Sequence, residues 1–192
     1  MEVSDPVAVF NEWLAEARAA GVDAPEAMTL ATADADGRPS ARMLLLKGAD
    51  ERGFTFFTGY ESRKGKELEA NPRAALVVYW RELGRQVRVE GTVRRLSAND
   101  SDAYWATRPP RSRAAAAASH QSEPLESLEE LEADAERVFT EHGGEVPRPE
   151  RWGGYLLEPE AIELWRHRDD RLHDRIRYTR AREGWRAQRL AP

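Results

Sequence analysis

The residues best suited to chemistry lie near the end of the chain, in the run DDRLHDRIRYTR between Asp169 and Arg180. This run holds four arginines and one histidine in a chain whose net charge is −5. Arg171, His173 and Arg175 alternate, and alternate side chains of a β-strand point to the same side. Guanidinium groups suit bidentate contacts with phosphate or carboxylate. The spacing therefore predicts a strand that presents two guanidinium groups and an imidazole to an anionic ligand.

Two further clusters of basic residues could bind anions. In RMLLLK, Arg42 and Lys47 bracket an apolar strand, and their odd spacing puts them on opposite faces, where they could serve two different anions. In SRKGK, Ser62, Arg63 and Lys64 stand at a predicted helix start, where backbone N–H groups and the helix dipole favour an anion. Each cluster also has an ordinary interpretation, as the solvated end of a strand or as a basic helix start on the surface.

A third cluster lies in YWATRPPRS, which places Tyr104, Arg108 and Ser112 at intervals of four. One helix would bring these three side chains to a single face, but Pro109 and Pro110 end the helix after Arg108. Convergence of the three donors on an anion and an ordinary surface loop both remain open. Together the clusters predict two phosphorylated ligands that are held by side chains rather than by a glycine-rich loop.

Missing motifs and composition exclude several classes of protein. The chain has no GxGxxG, GxxxxGK[ST], HExxH or GxSxG motif, and with no cysteine and four scattered histidines we expect no metal site. The net negative charge argues against general nucleic-acid or membrane-surface binding. No apolar run approaches the roughly 20 residues that a membrane helix needs. The absence of cysteine and of a signal peptide leads us to expect a cytoplasmic protein.

Hydrophobic periodicity predicts the elements that must position these side chains. An N-terminal helix covers about residues 6–20, with Asp5 as its cap and Pro6 in its first turn. A short helix in SRKGKELEANP is capped by Ser62, and two helical segments make an insertion at about 97–142. The predicted strands are AMTLATA, PSARMLLLK, FTFFTG, RAALVVYW, QVRVEGTVRRL, GGYLLEP, AIELWRH, DRIRYTR and GWRAQRLAP.

Turn signals set the expected topology. DADG, GADERG, RELGR and TRAREG read as turns between neighbouring strands. Short connections of this kind favour an antiparallel meander over βαβ units. Eight or nine strands with a few helices predict a mainly β fold, a small barrel with helical decoration, in a single domain over residues 1–192. The run Ala114–Ala118 is expected to be helix or a tight loop, and the acidic segment Glu123–Glu145 a solvated helix face.

Eight motifs occur in order along the chain: RMLLLK, FFTGYESRKGKELEANP, RQVRVEG, RPPRS, HQS, WGGY, RLHDR and the terminal RLAP. In this order they resemble the pyridoxine/pyridoxamine 5'-phosphate oxidase family, over nearly the whole chain from about Asp5 to Pro192. The resemblance implies an antiparallel FMN-binding split β-barrel that forms a homodimer, with each FMN and active site at the subunit interface. The implied FMN contacts are Arg42, Met43, Leu44, Lys47, Phe57, Thr58, Arg63, Lys64, Gln86, Gln121, Ser122, Trp165 and Arg175. The implied substrate contacts are Lys47, Tyr104, Arg108, Ser112, Arg171 and His173.

The resemblance also implies a reaction. Pyridoxamine 5'-phosphate or pyridoxine 5'-phosphate would be oxidised to pyridoxal 5'-phosphate, with hydride passing from the substrate C4' to flavin N5, O2 as electron acceptor and H2O2 as product. Arg171 and His173 would be the catalytic residues, which hold the substrate over the flavin. Alternatives are a flavin oxidase of the phenazine-biosynthesis type, another split-barrel flavin reductase, and a non-catalytic flavin- or B6-phosphate-binding protein. Lys47 favours a B6-phosphate substrate, because the phenazine-type branch commonly lacks this lysine.

The sequence departs from the family pattern at a few positions near the implied flavin site. RAAAAASHQS replaces a stretch similar to Ile-Gly-Ala-Trp, which removes a tryptophan. Arg166 and His167 stand where the family tends to have Gln-Gly, Leu164 replaces an aromatic residue, and Phe57 replaces a tyrosine. The charged anchors are intact, so we expect these changes to affect local packing and substrate preference.

Overall fold

The computed structural model describes residues 5–192, which form one antiparallel sheet of nine strands with five α-helices. The strands are β1 (Ala27–Ala33), β2 (Pro39–Leu45), β3 (Gly48–Asp50), β4 (Gly53–Gly59), β5 (Arg73–Trp80), β6 (Arg85–Arg95), β7 (Trp152–Arg166), β8 (Asp174–Arg180) and β9 (Trp185–Arg189). The helices are α1 (Pro6–Ala19), α2 (Arg63–Ala70), α3 (Ala98–Thr107), α4 (Pro110–Ala118) and α5 (Leu128–Glu141). None of the described helices is long and apolar enough to cross a membrane.

The strands follow the order β2-β1-β5-β6-β7-β4-β3, and β8 joins β7 while β9 joins β8. β7 is the central element because it pairs with three strands. Its first half lies against β4, its second half lies against β8, and β6 runs along its other edge. Every pairing is antiparallel, as the short connections predicted. The sheet therefore surrounds a main core, and the edge of β7 opposite β6 is shared by β4 and β8.

Helix α1 closes one side of this core. The Asp5 side chain accepts a hydrogen bond from the Val7 amide, which confirms the predicted cap. Phe10 is fully buried and packs edge-on against Phe54, with ring centroids 5.1 Å apart. Trp13, one turn further on, lies 4.9 Å from the guanidinium carbon of Arg85. The apolar stripe of α1 thus covers the sheet, as its 3.6-residue spacing indicated.

Two strand predictions needed revision. GGYLLEP and AIELWRH are one continuous strand, β7, because a register shift between Glu90 and Gly91 in β6 accommodates Pro159 opposite it. A Cβ atom at Gly91 would lie 2.0 Å from the Glu158 carbonyl oxygen, so only glycine allows this approach. The other revision is at GADERG, where Gly48–Asp50 forms the short strand β3 before a tighter turn.

The helical segment between β6 and β7 carries the predicted break at the two prolines. Helix α3 ends at Thr107, and α4 starts at Pro110, in the first turn where proline is tolerated. The alanine run 114–118 belongs to α4 and is therefore helix. Trp105 is buried and donates from its indole nitrogen to the Val146 carbonyl oxygen at 2.8 Å. This bond and a second small apolar core fasten the helices to the sheet beside β7.

Candidate active site

The amino-terminal end of α2 carries a buried lysine that lies among oxygen atoms. Lys64 Nζ donates to Thr58 Oγ1, Ser62 Oγ and Gln121 Oε1, each at 3.1 Å. Ser62 caps the helix, because its hydroxyl accepts from the Gly65 amide. A Cβ atom at Gly65 would lie 2.0 Å from the Tyr60 carbonyl oxygen, so glycine is required for α2 to start this close to β4. The predicted cap and the close approach together fix the position of Lys64.

Arg42 and Arg63 reach the same region from β2 and α2. Arg42 donates to the Leu30 carbonyl oxygen at 3.2 Å and to Thr32 Oγ1 at 2.6 Å, and it is hydrogen bonded to Ser40. Both arginines also contact the carboxylate of Glu67, Arg42 at 3.2 Å and Arg63 at 2.8 Å. Glu67 itself was not among the predicted site residues.

The two ionisable groups in this network have shifted pKa values. Burial lowers the pKa of Lys64 to about 8, and the charge of Arg42 adds to this effect. Burial opposes ionisation of Glu67, but hydrogen bonds from Ser40, Thr32 and the two arginines outweigh it and lower its pKa to about 2. Near neutral pH the group therefore contains one carboxylate and three cations, with a net positive charge that favours an anion.

These side chains line a cavity of 410 Å³, here called the Lys64 cavity. Its walls are Ser40, Ala41, Arg42, Met43, Leu44, Arg63, Lys64, Gln121 and Ser122. Seven of these are predicted cofactor residues, so the structure brings together residues from β2, α2 and the segment after α4. Ser122 has a φ of +75°, a left-handed conformation that is uncommon outside glycine and marks a constrained turn at the cavity wall.

A second, larger cavity of 820 Å³ adjoins the first, since both are lined by Leu44 and Gln121. This second cavity is called the Arg108 cavity. It is also lined by the predicted cofactor residues Phe57 and Thr58 and by the predicted substrate residues Arg108 and Ser112. The remaining members of its wall are Gly59, Glu61, Ser62, Lys66, Ala115, Ala116, Ser119, His120, Glu123, Leu131, Arg151 and Trp152.

Arg108 is held in this cavity by aromatic rings and by one backbone oxygen. Its guanidinium carbon lies 4.9 Å from the ring centre of Trp152 and 5.5 Å from that of Trp105. One terminal nitrogen donates to the Ser112 carbonyl oxygen at 3.0 Å, but the buried Nε has no hydrogen-bond partner among residues 5–192. Burial lowers the pKa of Arg108. An orphaned donor on a desolvated guanidinium is costly unless a ligand pairs with it.

Tyr104 and Lys47 complete this group. The Tyr104 ring stacks on Phe57 with centroids 3.9 Å apart, and the ammonium of Lys47 lies 5.8 Å from the centre of the same ring. β2 ends at Leu45, so Lys47 lies beyond the strand and the prediction from alternating faces does not apply to it. Even so, Arg42 and Lys47 belong to different clusters, as the two-anion hypothesis required. Tyr104, Arg108 and Ser112 meet despite the helix break.

The remaining predicted residues lie at the other end of β7. Gln86 is opposite Trp165 in the β6–β7 ladder, and Trp165 is opposite Arg175 in the β7–β8 ladder. The His173 ring lies 4.7 Å from the Trp165 ring. Arg175 donates from Nε to the buried carboxylate of Glu163 at 2.8 Å, and this bond raises its pKa. We call this group the Trp165 cluster.

The predicted alternation on one strand was wrong for Arg171 and His173. β8 begins at Asp174, and both residues lie in the loop that precedes it. The loop turns because the Asp170 carboxylate accepts from the Leu172 amide at 3.0 Å and Arg171 adopts a φ of +60°. His173 Nδ1 accepts from the Arg168 amide at 3.1 Å, which leaves Nε2 as the N–H donor of the neutral ring.

The two ends of β7 are too far apart to form one site within a chain. Thr58 pairs with Gly153, whereas Gln86 pairs with Trp165, twelve positions further along β7. An extended strand of that length spans about 40 Å. The Lys64 and Arg108 cavities therefore lie apart from the Trp165 cluster within one chain. A site that uses all the predicted residues needs a second copy of the chain.

Other residues near the cavities were missed from the sequence. Arg151 lines the Arg108 cavity and is hydrogen bonded to the Ala117 carbonyl oxygen, and Trp152 supplies one of the rings against Arg108. His167 lies 5.2 Å from the His173 ring. For Glu67, the spacing of four from Arg63 on a predicted helix was a usable signal, since such residues face each other. In the described part of the chain, no three carboxylate or imidazole groups converge as a metal site would require.

The fold is that of a split β-barrel protein, and the comparisons with known proteins agree. Residues 14–142 match the family model described as pyridoxamine 5'-phosphate oxidase, and residues 152–192 match the pyridoxine 5'-phosphate oxidase C-terminal dimerisation region. The chain belongs to the pyridoxamine 5'-phosphate oxidase family, a family of oxidoreductases. The second match supports the expected homodimer.

Relatives and solved structures place the chain within this family. It is 59% identical to the pyridoxine/pyridoxamine 5'-phosphate oxidase of Rubrobacter xylanophilus over 98% of this chain and 87% of the relative. It is 54% identical to the protein of that name from Burkholderia vietnamiensis, over 98% and 89%. The crystal structure of PhzG from Burkholderia lata 383 with tetrahydrophenazine-1-carboxylic acid is 40% identical, with a TM-score of 0.95 over 100% of this chain and 94% of PhzG.

Proposed function

We propose that this chain is an FMN-dependent oxidase that converts pyridoxamine 5'-phosphate or pyridoxine 5'-phosphate to pyridoxal 5'-phosphate, with O2 as the electron acceptor. Such an enzyme serves the biosynthesis and salvage of vitamin B6. The observation that carries the proposal is the orphaned Nε of Arg108, in a cavity that adjoins the cationic Lys64 cavity. Two adjoining sites for phosphate suit one phosphorylated cofactor and one phosphorylated substrate.

The Lys64 cavity suits the phosphate of FMN. Lys64, Arg42 and Arg63 supply three cations, and the capped start of α2 adds a favourable helix dipole. Neither terminal nitrogen of Arg63 has a hydrogen-bond partner in residues 5–192, so its fork is open to a bidentate contact. FMN, when bound, supplies the acceptor for a hydride and passes the electrons to O2.

The Arg108 cavity suits the substrate phosphate. Lys47, Tyr104, Arg108 and the Ser112 hydroxyl can donate to one phosphate group, and the guanidinium needs little rearrangement because Trp105 and Trp152 already hold it. Fixing the phosphate end of the substrate confines its reactive carbon to a small region, which lowers the entropic part of the barrier. The residues of this chain thereby bind and orient, and the redox chemistry belongs to the cofactor.

In the proposed active site, Arg171 and His173 come from the second protomer. In the homodimer, the Trp165 cluster of one protomer faces the cavities of the other. The loop position of Arg171 and His173 suits residues that cover a bound substrate, since loops adjust their backbone more easily than strands. The His173 Nε2–H can donate to a substrate oxygen, while Nδ1 is engaged by the Arg168 amide.

The overall reaction balances for both substrates. Pyridoxine 5'-phosphate loses one hydrogen from its alcohol carbon and one from the hydroxyl group, and transfer of both to O2 gives pyridoxal 5'-phosphate and H2O2. Pyridoxamine 5'-phosphate loses two hydrogens to O2 to give H2O2 and an imine, and water then converts the imine to pyridoxal 5'-phosphate and ammonia. The exposed wall of the Arg108 cavity gives water access to this hydrolysis.

A second candidate function is the oxidation of a phenazine precursor, which is supported by the similarity to PhzG. Lys47 favours the B6-phosphate substrate, because a carboxylate substrate without phosphate has less need of the four donors Lys47, Tyr104, Arg108 and Ser112. The higher identity to the relatives named as pyridoxine/pyridoxamine 5'-phosphate oxidases supports the same choice.

The test compares both substrates on the purified, FMN-loaded protein in air. We expect H2O2 and pyridoxal 5'-phosphate in equal amounts from pyridoxine 5'-phosphate, and little oxidation of tetrahydrophenazine-1-carboxylic acid above its spontaneous rate. The opposite preference would favour the phenazine-type reaction. Yellow protein that forms no H2O2 with either compound would indicate a flavin-binding protein without oxidase activity, and protein that does not take up FMN would overturn all three.

A further inference from the structure

Glu67 is a buried carboxylate directly behind the cations of the Lys64 cavity. Its side chain is only 6% exposed, and it does not belong to the cavity wall. Its Oε2 accepts from Thr32 Oγ1 at 2.5 Å, from Ser40 Oγ at 2.6 Å and from Arg42 at 3.2 Å. Its Oε1 accepts from Arg63 Nε at 2.8 Å. Four donors thus surround the carboxylate, and both of its oxygens are engaged.

The two arginines use different nitrogen atoms in these contacts. The terminal nitrogens of Arg42 make bonds to Glu67, Ser40, Thr32 and a backbone oxygen, so this guanidinium is fixed in one orientation. Arg63 donates to Glu67 only through Nε, and its two terminal nitrogens have no hydrogen-bond partner within residues 5–192. Glu67 therefore fixes the orientation of both guanidinium groups. It leaves the two terminal nitrogens of Arg63 and the Nε of Arg42 for other contacts.

The carboxylate also favours the charged form of the third cation. Three cations in one small cavity repel one another, and the charge of Arg42 lowers the pKa of Lys64. Glu67 acts in the opposite direction and raises it. Because hydrogen bonds keep Glu67 itself ionised, with a pKa of about 2, this support is present at neutral pH.

We propose that Glu67 is the positioning residue of the cofactor-phosphate site: it sets the orientation of Arg42 and Arg63 through direct hydrogen bonds without touching the cofactor. The inference rests on the proposed function for the identity of the phosphate ligand. A positioning role and a simple charge effect predict opposite changes in FMN affinity when Glu67 is removed. A carboxylate near a phosphate repels it, so if charge alone mattered, removal of Glu67 would strengthen binding, whereas loss of positioning weakens it.

The experiment measures FMN and riboflavin binding to the apo-protein by quenching of flavin fluorescence. Riboflavin lacks the phosphate and so reports on the rest of the flavin site. For E67A we expect FMN affinity to fall by about tenfold or more, with riboflavin affinity unchanged, because only the phosphate contacts depend on the two arginines. E67Q keeps an accepting oxygen for Thr32 and Ser40, so its loss of FMN affinity should be smaller.

A matched control is E69A, which removes a carboxylate from the same helix. Glu69 is 70% exposed and pairs with Arg95, away from the cavity, so E69A should bind both flavins like the wild type. FMN affinity that is unchanged or higher in E67A and E67Q would overturn the positioning role, and so would an equal loss for FMN and riboflavin. If E67A does not fold, E67Q gives the same comparison. Wild-type protein that binds riboflavin as tightly as FMN would instead overturn the proposed phosphate site itself.

Discussion

The ammonium of Lys64 lies 3.1 Å from the side-chain oxygen of Gln121, although the two residues are 57 positions apart in the sequence. This contact joins the start of α2 to the segment after α4 and closes one wall of the Lys64 cavity. Thr58 Oγ1 donates to the same oxygen at 2.9 Å. The buried lysine is thus the centre of the cavity, and its charge should control the binding of the cofactor phosphate.

FMN affinity should fall as the pH rises above about 8. Burial lowers the pKa of Lys64 to about 8, so above this value the phosphate-free protein loses the proton that the phosphate requires. The expected decline is up to about tenfold for each pH unit above 8, since one proton is taken up on binding. Titrations of the apo-protein with FMN between pH 6 and 10 measure it. K64M should bind FMN weakly with little pH dependence, and a wild-type profile as flat as that of K64M would contradict the prediction.

A rise in pH should increase the contribution of Lys64 to the stability of the apo-protein, although it weakens FMN binding. The unfolded chain holds the Lys64 proton up to its ordinary pKa of 10.5, whereas the folded chain releases it near pH 8. Between these values the unfolded state binds more protons, so the contribution of Lys64 to the free energy of unfolding rises with pH. Urea unfolding at pH 7.5 and pH 10 should show this rise in wild type relative to K64M. An equal pH response in the two proteins would refute it.

Arg108 should act on substrate binding and leave the cofactor in place. R108M keeps apolar contact with Trp105 and Trp152 but removes the donors, so KM for pyridoxine 5'-phosphate should rise by about a hundredfold, which corresponds to one lost charge-assisted phosphate contact. The FMN content of the purified protein should match that of wild type. Steady-state kinetics and the flavin absorbance provide both measurements. An unchanged KM would remove Arg108 from the substrate site.

Residue spacing predicted most elements because each signal was local. AMTLATA, RAALVVYW and DRIRYTR match strands β1, β5 and β8 residue for residue. The caps at Asp5 and Ser62 were also correct, since a cap depends on residues within one helical turn. The basic clusters at the start of α2 and on β2 were found for the same reason, because their residue types alone indicate anion binding.

The errors arose where distant parts of the chain decide the local structure. The continuity of β7 depends on a register shift in β6, more than 60 positions earlier, and nothing near Pro159 in the sequence indicates it. The alternation of Arg171 and His173 fits a strand and a turn equally well, and the Asp170 carboxylate selects the turn. Glu67 was missed because three of its four partners come from β1 and β2, between 25 and 35 positions away.

Arg171 should contribute to turnover and not to flavin binding. Its side chain is exposed in the loop before β8, so R171A removes little packing and should not change the melting temperature. We expect kcat/KM to fall by about a hundredfold or more, which is typical for the loss of a group that positions the substrate. Kinetics with pyridoxine 5'-phosphate test this, with R182A in the exposed β8–β9 turn as a control. Equal values of kcat/KM for R171A and R182A would contradict a role of Arg171 in turnover.

The ion pair between Arg175 and Glu163 makes it possible to separate folding from cofactor binding. Arg175 lies 2.8 Å from the Glu163 carboxylate, which is 8% exposed and has one other cation, Arg88, at 3.5 Å. R175A leaves this carboxylate poorly paired and should lower the free energy of unfolding by about 3 kcal/mol. Adding E163Q removes the buried charge and should restore part of the stability, as urea unfolding of the single and double variants would measure. If Arg175 also contacts FMN, the double variant should remain poor in bound flavin despite its recovered stability. A stable double variant with full FMN content would show that Arg175 acts only through Glu163.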